Sequence, residues 1–288
     1  MLKKSINRWA FESSLSIEEC MKMAKKHSFD AIELNLEETG DFSLETPEKD
    51  VLGLKQKTAE YGINISSLCS LLFWKYPITS SDPEIRQKGV DIIKRMIEYA
   101  SLLNVDTILV VPGMVHADPP LDFGNPPVSY TDAWERAKKI IQELADFAVV
   151  RNVTIGLENV FYNKFLLSPR EFKEFLEDVN RRNVKIYFDV GNTMICGFPE
   201  DWIGILNDRI CSIHCKDFDK NVNTLYGWRN VFEGHINWNN VCRAIKNAGY
   251  DGYLVGEPAL SPYLFQQEEL IRNTSSALDK LREMILCV

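Results

Sequence analysis

Short β-rich segments and amphipathic helical segments alternate along the whole of this 288-residue chain. The helical segments carry apolar residues three and four positions apart, as in Val90, Ile93 and Ile97, and each such stripe can pack on a sheet. This alternation favours a parallel sheet, because each helix returns the chain to start the next strand in the same direction. About eight such units can be counted, which predicts an α/β fold, a (β/α)8 or TIM barrel that fills residues 1–288 as one domain.

The segments have the boundaries expected of barrel strands and helices. The predicted strands cover residues 5–10, 31–36, 65–71, 107–112, 154–160, 185–191, 210–217 and 252–257. Ser16 with Glu19 has the pattern of a capping box, Ser168 precedes a proline at a helix start, and Asp82 precedes another. Residues 116–130 are rich in proline and glycine and are predicted to form a long loop after the fourth strand.

Composition limits the class of partner. The net charge of -8 and the pI near 5.2 argue against nucleic acid or an anionic membrane, since both require a basic surface. No stretch of the chain has the character of a signal peptide or a membrane span, so we expect a cytoplasmic protein that acts on a small molecule. The seven scattered cysteines are expected to be reduced thiols. The sequence leaves open whether the chain forms a homo-oligomer.

Four side chains near the ends of the last four predicted strands have the chemistry of metal ligands. They are Glu158, Asp189, His214 and Glu257. Side chains alternate across a strand, and the neighbours of opposite parity are mostly apolar, so those neighbours would face the helices and the four ligands would face the barrel interior. Active sites of such barrels lie at the carboxyl ends of the strands. The sequence therefore predicts one divalent metal site.

The donor set predicts the kind of metal. Three carboxylates and one imidazole are mostly hard, oxygen-rich ligands, which suit Mn²⁺ or Mg²⁺ and tolerate Co²⁺ or Zn²⁺. Manganese is the first choice. Taken one at a time, Asp189 could be a turn former and His214 a hydrogen-bonded core residue. A glutamate directed into a barrel is harder to explain without a partner or a metal, because its desolvation is costly.

Five further residues are candidates for contact with the substrate. Lys216 shares the inward parity of His214 and could bind a substrate oxygen or a phosphate, or form a salt bridge with a carboxylate of the barrel. Arg229 lies on the following connection, where phosphate contacts are common in such barrels, although surface packing is slightly favoured over phosphate binding for this residue. Glu33 could bind a distal hydroxyl or pair with Lys216. Trp9 could form a wall against the sugar, and Asn192 follows the metal-binding Asp189 by three positions.

Several motifs resemble the sugar phosphate isomerase/epimerase superfamily, whose barrel is like that of xylose isomerase. They are FDAIELNL, LENV, YFDVGNT, HCKD, FEGHINW and NAGYDGYLVGEP. The chain looks most similar to ketose 3-epimerases, particularly L-ribulose-5-phosphate 3-epimerase-like proteins. The resemblance implies that Glu158 and Glu257 are both metal ligands and the catalytic acid and base, which move the C3 proton through a cis-enediolate. Asp189 and His214 would then be ligands only.

The resemblance leaves the substrate and the reaction open. Free-sugar epimerases commonly have a histidine where this chain has Asn192, and together with Lys216 and Arg229 this favours a phosphorylated ketose over a free one. Aldose–ketose isomerisation needs the same metal and the same proton-transferring carboxylates. A metal-dependent dehydratase of the inosose type shares the fold and ligands. An apurinic endonuclease would need further histidines where Cys69, Pro112 and Asn192 stand, and a non-catalytic sugar-binding barrel is the last alternative.

Overall fold

A closed barrel of eight parallel strands forms the centre of the protein in a computed structural model that describes residues 2–222, 224–258 and 266–288. The strands of the described residues are β1 (Lys3–Asn7), β2 (Ala31–Asn35), β3 (Asn64–Cys69), β4 (Thr107–Val110), β5 (Thr154–Glu158), β6 (Val184–Asp189), β7 (Ile210–Cys215), β8 (Asp217–Phe218), β9 (Trp228–Arg229) and β10 (Tyr253–Gly256). The order around the barrel is β1-β10-β7-β6-β5-β4-β3-β2. The predicted (β/α)8 barrel is confirmed, and each predicted strand overlaps a barrel strand.

Helices surround the barrel, and several of them begin at the predicted caps. Within the described residues they are α1 (Ile17–Lys26), α2 (Glu48–Tyr61), α3 (Leu72–Lys75), α4 (Pro83–Leu103), α5 (Tyr130–Val149), α6 (Pro169–Val179), α7 (Pro199–Leu206), α8 (Trp238–Asn247) and α9 (Gln267–Cys287). Ser16 with Glu19 and Ser168 with Glu171 form reciprocal capping boxes. Asp82 accepts two amide hydrogen bonds at the start of α4. Each cap satisfies backbone donors that have no partner within the helix.

The apolar residues form two separate clusters. The large cluster contains most of the buried apolar side chains of the strands and the surrounding helices. The small cluster contains Cys69, Leu109, Tyr187 and Val255, which share the inward parity of the barrel strands. Burial of the large cluster holds the helices on the barrel, and it leaves the interior free for a mostly polar filling. Among the described residues, no helix combines the length and apolar character that crossing a bilayer requires.

A short hairpin follows the seventh barrel strand and was not predicted. Strands β8 and β9 pair antiparallel, with Asp217 opposite Arg229 and Phe218 opposite Trp228. The Asp217 carboxylate accepts hydrogen bonds from the Ile236 amide at 3.0 Å and from the Trp238 indole at 2.8 Å. A Cβ at Gly234 would lie 2.2 Å from an Asp217 oxygen, so only glycine allows this approach. The HCKD and FEGHINW motifs therefore join to hold the hairpin beside the barrel mouth.

Candidate metal centre

The four predicted ligands lie together at the carboxyl-terminal end of the barrel. Glu158 is the last residue of β5, and Asp189 is the last residue of β6. His214 is the penultimate residue of β7 and lies opposite Asp189 in the strand register. Glu257 follows β10 directly. Each residue offers one ligand atom, and these atoms all lie within 4.8 Å of one another. Adjacent strands of the barrel thus form a candidate site for one metal ion.

The geometry around the His214 ring fits a metal ion. Its Nδ1 atom lies 3.3 Å from a Glu257 oxygen, 3.5 Å from a Glu158 oxygen and 3.8 Å from Asp189 Oδ2. Ligand atoms about 2.1 Å from a shared ion lie roughly 3–4 Å apart, so these separations fit shared coordination. His214 Nδ1 is buried without a hydrogen-bond partner, and so is Asp189 Oδ2. Buried polar atoms of this kind need a partner, and a dication would supply it.

Burial and charge shift the pKa values of the cluster in different directions. Burial raises the pKa of Glu158, and it raises the pKa of Asp189 to about 7. Burial would also raise the pKa of Glu257, but the positive charges of Lys216 and His214 outweigh it and lower that pKa. When Nδ1 of His214 is unprotonated, as metal binding requires, the histidine carries no charge and Lys216 alone does not balance the three carboxylates. A dication at this point would lower the cost of ionising all three.

Glu33 contacts the edge of the His214 ring that lies opposite the candidate metal site. His214 Nε2 lies 2.8 Å from Glu33 Oε2, and both side chains are completely buried. A proton on Nε2, donated to this carboxylate, leaves Nδ1 unprotonated toward the metal position, as in other metal-binding histidines. Glu33 therefore pairs with His214 and not with Lys216 as predicted, and its contact with a substrate hydroxyl stays a prediction. The side chain does point inward, but His214 lies between it and the metal position.

A chain of buried hydrogen bonds supports Glu33 from inside the barrel. Glu33 accepts hydrogen bonds from the Tyr187 hydroxyl at 2.6 Å and the Ser67 hydroxyl at 2.7 Å, and another from the Asn7 amide. Burial would raise the pKa of Glu33, but the hydrogen bonds from Tyr187 and Ser67, together with His214 in its protonated form, lower it. These contacts keep Glu33 ionised and fixed in one orientation, which fixes the His214 ring in turn.

Lys216 lies inside the carboxylate cluster. Its Nζ donates to a Glu257 oxygen at 2.6 Å, and it lies 2.8 Å from Asp189 Oδ2 without good hydrogen-bond geometry. It also lies 4.2 Å from the centre of the Trp228 ring, over the indole face. A Cβ at Gly191 would lie 2.7 Å from Lys216 Cγ, so the glycine of the DVGN motif makes room for the lysine stem. The predicted salt bridge of Lys216 with barrel carboxylates is therefore present.

Two asparagines position Asp189 of the candidate metal site. The Asn159 side chain accepts a hydrogen bond from the Asp189 amide at 2.7 Å and donates one to the Asp189 carbonyl at 2.8 Å. The Asn192 amide nitrogen of the backbone donates to Asp189 Oδ1 at 2.7 Å. The Asn192 side chain donates to the Asn159 carbonyl and accepts from the Trp228 indole. Asn159 was missed by the sequence interpretation, although it directly follows Glu158 in the LENV motif.

A cavity of about 380 Å³ opens above the candidate metal site. Its charged or amide-bearing lining residues are Glu158, Asn192, Lys216 and Glu257, and the other lining residues are Trp9, Ser70, Leu71, Trp74, Leu109, Val111, Pro120, Leu121, Val160, Phe161, Tyr162, Leu225, Trp228 and Pro258. Cavities of this size hold small ligands such as sugars. Trp9 lines this cavity as predicted, on a short 3₁₀ helix after β1. Trp228 was missed, although it is next to Arg229, which the sequence singled out.

The four ligand residues differ in their access to this cavity. The side chains of Glu158 and Glu257 are 11% and 17% exposed and line the cavity wall. The side chains of Asp189 and His214 are 0% and 1% exposed and lie below it. A molecule in the cavity could therefore touch both glutamates, whereas Asp189 and His214 could act on it only through an ion held by the cluster.

Arg229 lies outside the lining of this cavity and packs within the hairpin, so its contact with a substrate phosphate stays a prediction. Its guanidinium pairs with Asp219 at 3.2 Å and donates to the backbone carbonyls of Tyr226 and Trp228. The β8–β9 hairpin causes this placement, because its register sets Arg229 opposite Asp217 and close to Asp219. The arginine therefore stabilises the hairpin that carries Trp228.

A larger cavity of about 780 Å³ lies beside the first one. It is bounded by the segments after β1 and β2 and by the start of α9, and Trp9 lines both cavities. None of the four candidate ligands lines it. We therefore assign the chemistry to the smaller cavity, since a reacting carbon must lie within contact distance of catalytic groups.

Residues 21–282 match the family model described as the xylose isomerase-like TIM barrel. The chain belongs to this family. The family resemblance inferred from the motifs is thereby confirmed. Among curated relatives, L-ribulose-5-phosphate 3-epimerase UlaE of Salmonella typhimurium is 24% identical over 299 residues, which cover 99% of this chain and 95% of the relative. The corresponding protein of Escherichia coli is 23% identical over the same shares.

Solved structures with this fold include further epimerases. A D-psicose 3-epimerase with D-tagatose, from Clostridium cellulolyticum H10, superimposes with a TM-score of 0.80 at 20% identity and covers 98% of this chain and 99% of its own. An L-ribulose 3-epimerase gives a TM-score of 0.80 at 17% identity, with 99% and 96% covered. The named relatives and structural neighbours are carbohydrate epimerases. At these identities the structural matches establish the shared fold.

Proposed function

We propose that this protein is a divalent-metal-dependent ketose 3-epimerase, acting on a sugar or sugar phosphate, in which Glu158 and Glu257 transfer the protons. One observation carries the proposal. Of the four clustered ligand residues, only these two glutamates line the cavity, while Asp189 and His214 are buried beneath it. The names of the curated relatives, which act on L-ribulose 5-phosphate, agree with this chemistry.

Glu158, Asp189, His214 and Glu257 would hold the ion, and Mn²⁺ suits their oxygen-rich donor set best. When bound, such an ion acts as a Lewis acid that stabilises negative charge on neighbouring oxygens. Glu33 would keep the His214 ring in the tautomer that presents Nδ1. Asn159 would hold the backbone of Asp189, so that both buried ligands are fixed before substrate arrives.

In the proposed mechanism the two glutamates would act on opposite faces of one carbon. Strands β5 and β10 are separated by β6 and β7, so Glu158 and Glu257 approach the cavity from different sides. In the proposed step one ionised glutamate removes the C3 proton of the ketose, which leaves an enediolate. The other glutamate, protonated at the start, returns a proton to the opposite face of C3. Lys216, hydrogen-bonded to Glu257, would orient that carboxylate and offer a donor to a substrate oxygen.

Isotope exchange tests the proposal directly. Full-length protein with added Mn²⁺ would be incubated in D₂O with a panel of ketoses and their 5- or 6-phosphates, and each sugar would be analysed by NMR. We expect deuterium at C3 together with the C3 epimer. Deuterium at C1 with an aldose product would indicate aldose–ketose isomerisation, and loss of water would indicate a dehydratase. Absence of exchange in every sugar would refute the proposal.

A further inference from the structure

We propose that the natural substrate is an unphosphorylated ketose whose distal carbons pack on the apolar wall of the cavity. This inference rests on the proposed function and narrows its substrate class. We define the apolar wall as the side chains of Trp9, Trp74, Leu109, Leu121, Val160 and Trp228. The wall opposes the sequence-based preference for a phosphorylated ketose, which depended on Lys216, Arg229 and Asn192.

The polar groups of the cavity are concentrated at the metal end. Glu158, Glu257, Lys216 and Asn192 are all part of the metal centre or bonded to it. The Ser70 hydroxyl and the Tyr162 oxygen have partners within the protein. Ser70 Oγ donates to the Leu36 carbonyl and accepts from the Leu72 amide, and Tyr162 accepts from the Leu225 amide. A substrate that reaches away from the metal therefore meets mainly carbon.

The cations that could bind a phosphate are already engaged. Lys216 is the cation among the described lining residues, and it is paired with Glu257 and Asp189 and stacked on Trp228. Arg229 is paired with Asp219. In the neighbouring cavity, the Arg8 guanidinium donates to the backbone carbonyls of Phe11, Glu12 and Leu15. Residues 259–265, which lie outside the described part of the chain, contain no lysine, arginine or histidine.

Binding of a phosphate group against the apolar wall would be unfavourable. A phosphate ester carries nearly two negative charges and needs several donors, and placing it against carbon without them costs its hydration. The carbon-bound face of a sugar, in contrast, packs well on indole and leucine side chains. By the same reasoning a terminal methyl group costs less to bury than a terminal hydroxyl. We therefore expect 6-deoxyketoses to be turned over at least as well as the matching 6-hydroxy sugars.

Matched pairs of substrates test this inference. With Mn²⁺-loaded full-length protein, kcat/KM for C3 exchange would be measured for L-ribulose and L-ribulose 5-phosphate, for D-fructose and D-fructose 6-phosphate, and for L-rhamnulose and L-fructose. We expect the free sugar to exceed its phosphate at least tenfold, and the 6-deoxy sugar to equal or exceed its 6-hydroxy partner. A phosphate ester that is turned over tenfold better than its free counterpart would overturn the inference and leave the epimerase function intact.

If no sugar is turned over, measurements of sugar binding still test the preference for unphosphorylated ketoses separately from the epimerase proposal. Trp9, Trp74 and Trp228 line the cavity, so the same sugars can be titrated while tryptophan fluorescence is followed. Free sugars that bind at least tenfold more tightly than their phosphates would support the inference even where the epimerase proposal fails. Tighter binding of the phosphates, or equal binding, would overturn it.

A variant with an added cation sharpens the test. Leu71 lines the cavity and is 50% exposed, so it can be replaced by a charged residue without burying the charge. Leu71→Arg should shift the ratio of kcat/KM, phosphate over free sugar, upward by about tenfold, whereas the neutral Leu71→Met should leave that ratio unchanged. If the wild-type enzyme prefers phosphates and Leu71→Arg leaves the ratio unchanged, the cavity already contains a phosphate site. That result would overturn the inference.

Discussion

The two ends of the cavity are built in different ways. At the metal end, the four ligand side chains stand at or next to the ends of barrel strands, and Glu33 and Asn159 hold two of them in place through hydrogen bonds. At the apolar wall, several side chains come from connecting segments: Trp74 from the short α3, Leu121 from the loop after β4 and Trp228 from the hairpin. Under the proposed function, the barrel would determine the reaction and the connecting segments would determine which sugar is accepted.

The largest effect should follow removal of a buried ligand. His214→Ala and Asp189→Ala each take one of four donors from the metal end and leave the apolar wall intact. We expect one Mn²⁺ per wild-type chain by elemental analysis, and loss of most binding and of exchange activity in both variants. Asp106→Ala, at the opposite end of the barrel, is the control and should bind metal normally. A stoichiometry well above one, or unchanged binding in both ligand variants, would contradict a mononuclear site.

The glutamates should give the next largest effect. Glu158→Gln and Glu257→Gln keep the size of the side chain but remove the proton-transferring carboxylate, and such groups contribute about a hundredfold to ten-thousandfold in rate. Turnover would be measured at saturating Mn²⁺, so that weaker metal binding is compensated. Glu37→Gln is a suitable control, because Glu37 lines only the neighbouring cavity. If either catalytic-site variant epimerised a good substrate at nearly the wild-type rate, the two-glutamate mechanism would have to be abandoned.

The clustering of the four ligand residues could be predicted from the sequence because side chains alternate between the two faces of a strand. With a repeat of two residues, the apolar neighbours Ile155 and Leu157 already place Glu158 inside the barrel. The same rule correctly turns Glu33 inward, but it carries no information about depth. Depth depends on the stagger between strands, which sets Glu33 beneath His214 rather than in the cavity.

The apolar wall could not be predicted in the same way. Arg229 was considered for phosphate binding because it follows the seventh strand, and only the hairpin register reveals that it faces Asp219. The same register places the ring of Trp228, one residue earlier, against the Lys216 ammonium group. Contacts between connecting segments depend on how the whole chain packs, and a local pattern of residues does not encode them.

Glu33 links the metal end to the barrel interior, so its substitution should have an intermediate effect. Glu33→Gln removes the charge behind His214 while keeping a group that can accept a hydrogen bond. Loss of such partners typically weakens metal binding about tenfold to a hundredfold. Isothermal titration with Mn²⁺ would give the affinity, and Tyr187→Phe, which removes one hydrogen bond to Glu33, should have a smaller effect. Unchanged Mn²⁺ affinity in Glu33→Gln would show that the negative charge behind His214 is not needed for metal binding.

The smallest effect should come from the residue where the two ends meet. Trp228→Phe keeps an aromatic face beneath Lys216 but loses the indole donor to Asn192, which lies 3.2 Å away. A neutral hydrogen bond contributes about 0.5–1.5 kcal/mol, so kcat/KM should fall only about twofold to tenfold. Trp228→Leu also removes the aromatic face and should cost more. Mn²⁺ affinity should be unchanged in both variants, because Trp228 contacts no ligand atom of the four-residue cluster. A marked loss of Mn²⁺ affinity in Trp228→Phe would mean that the hairpin also supports the metal, and the division between reaction and specificity would then not hold.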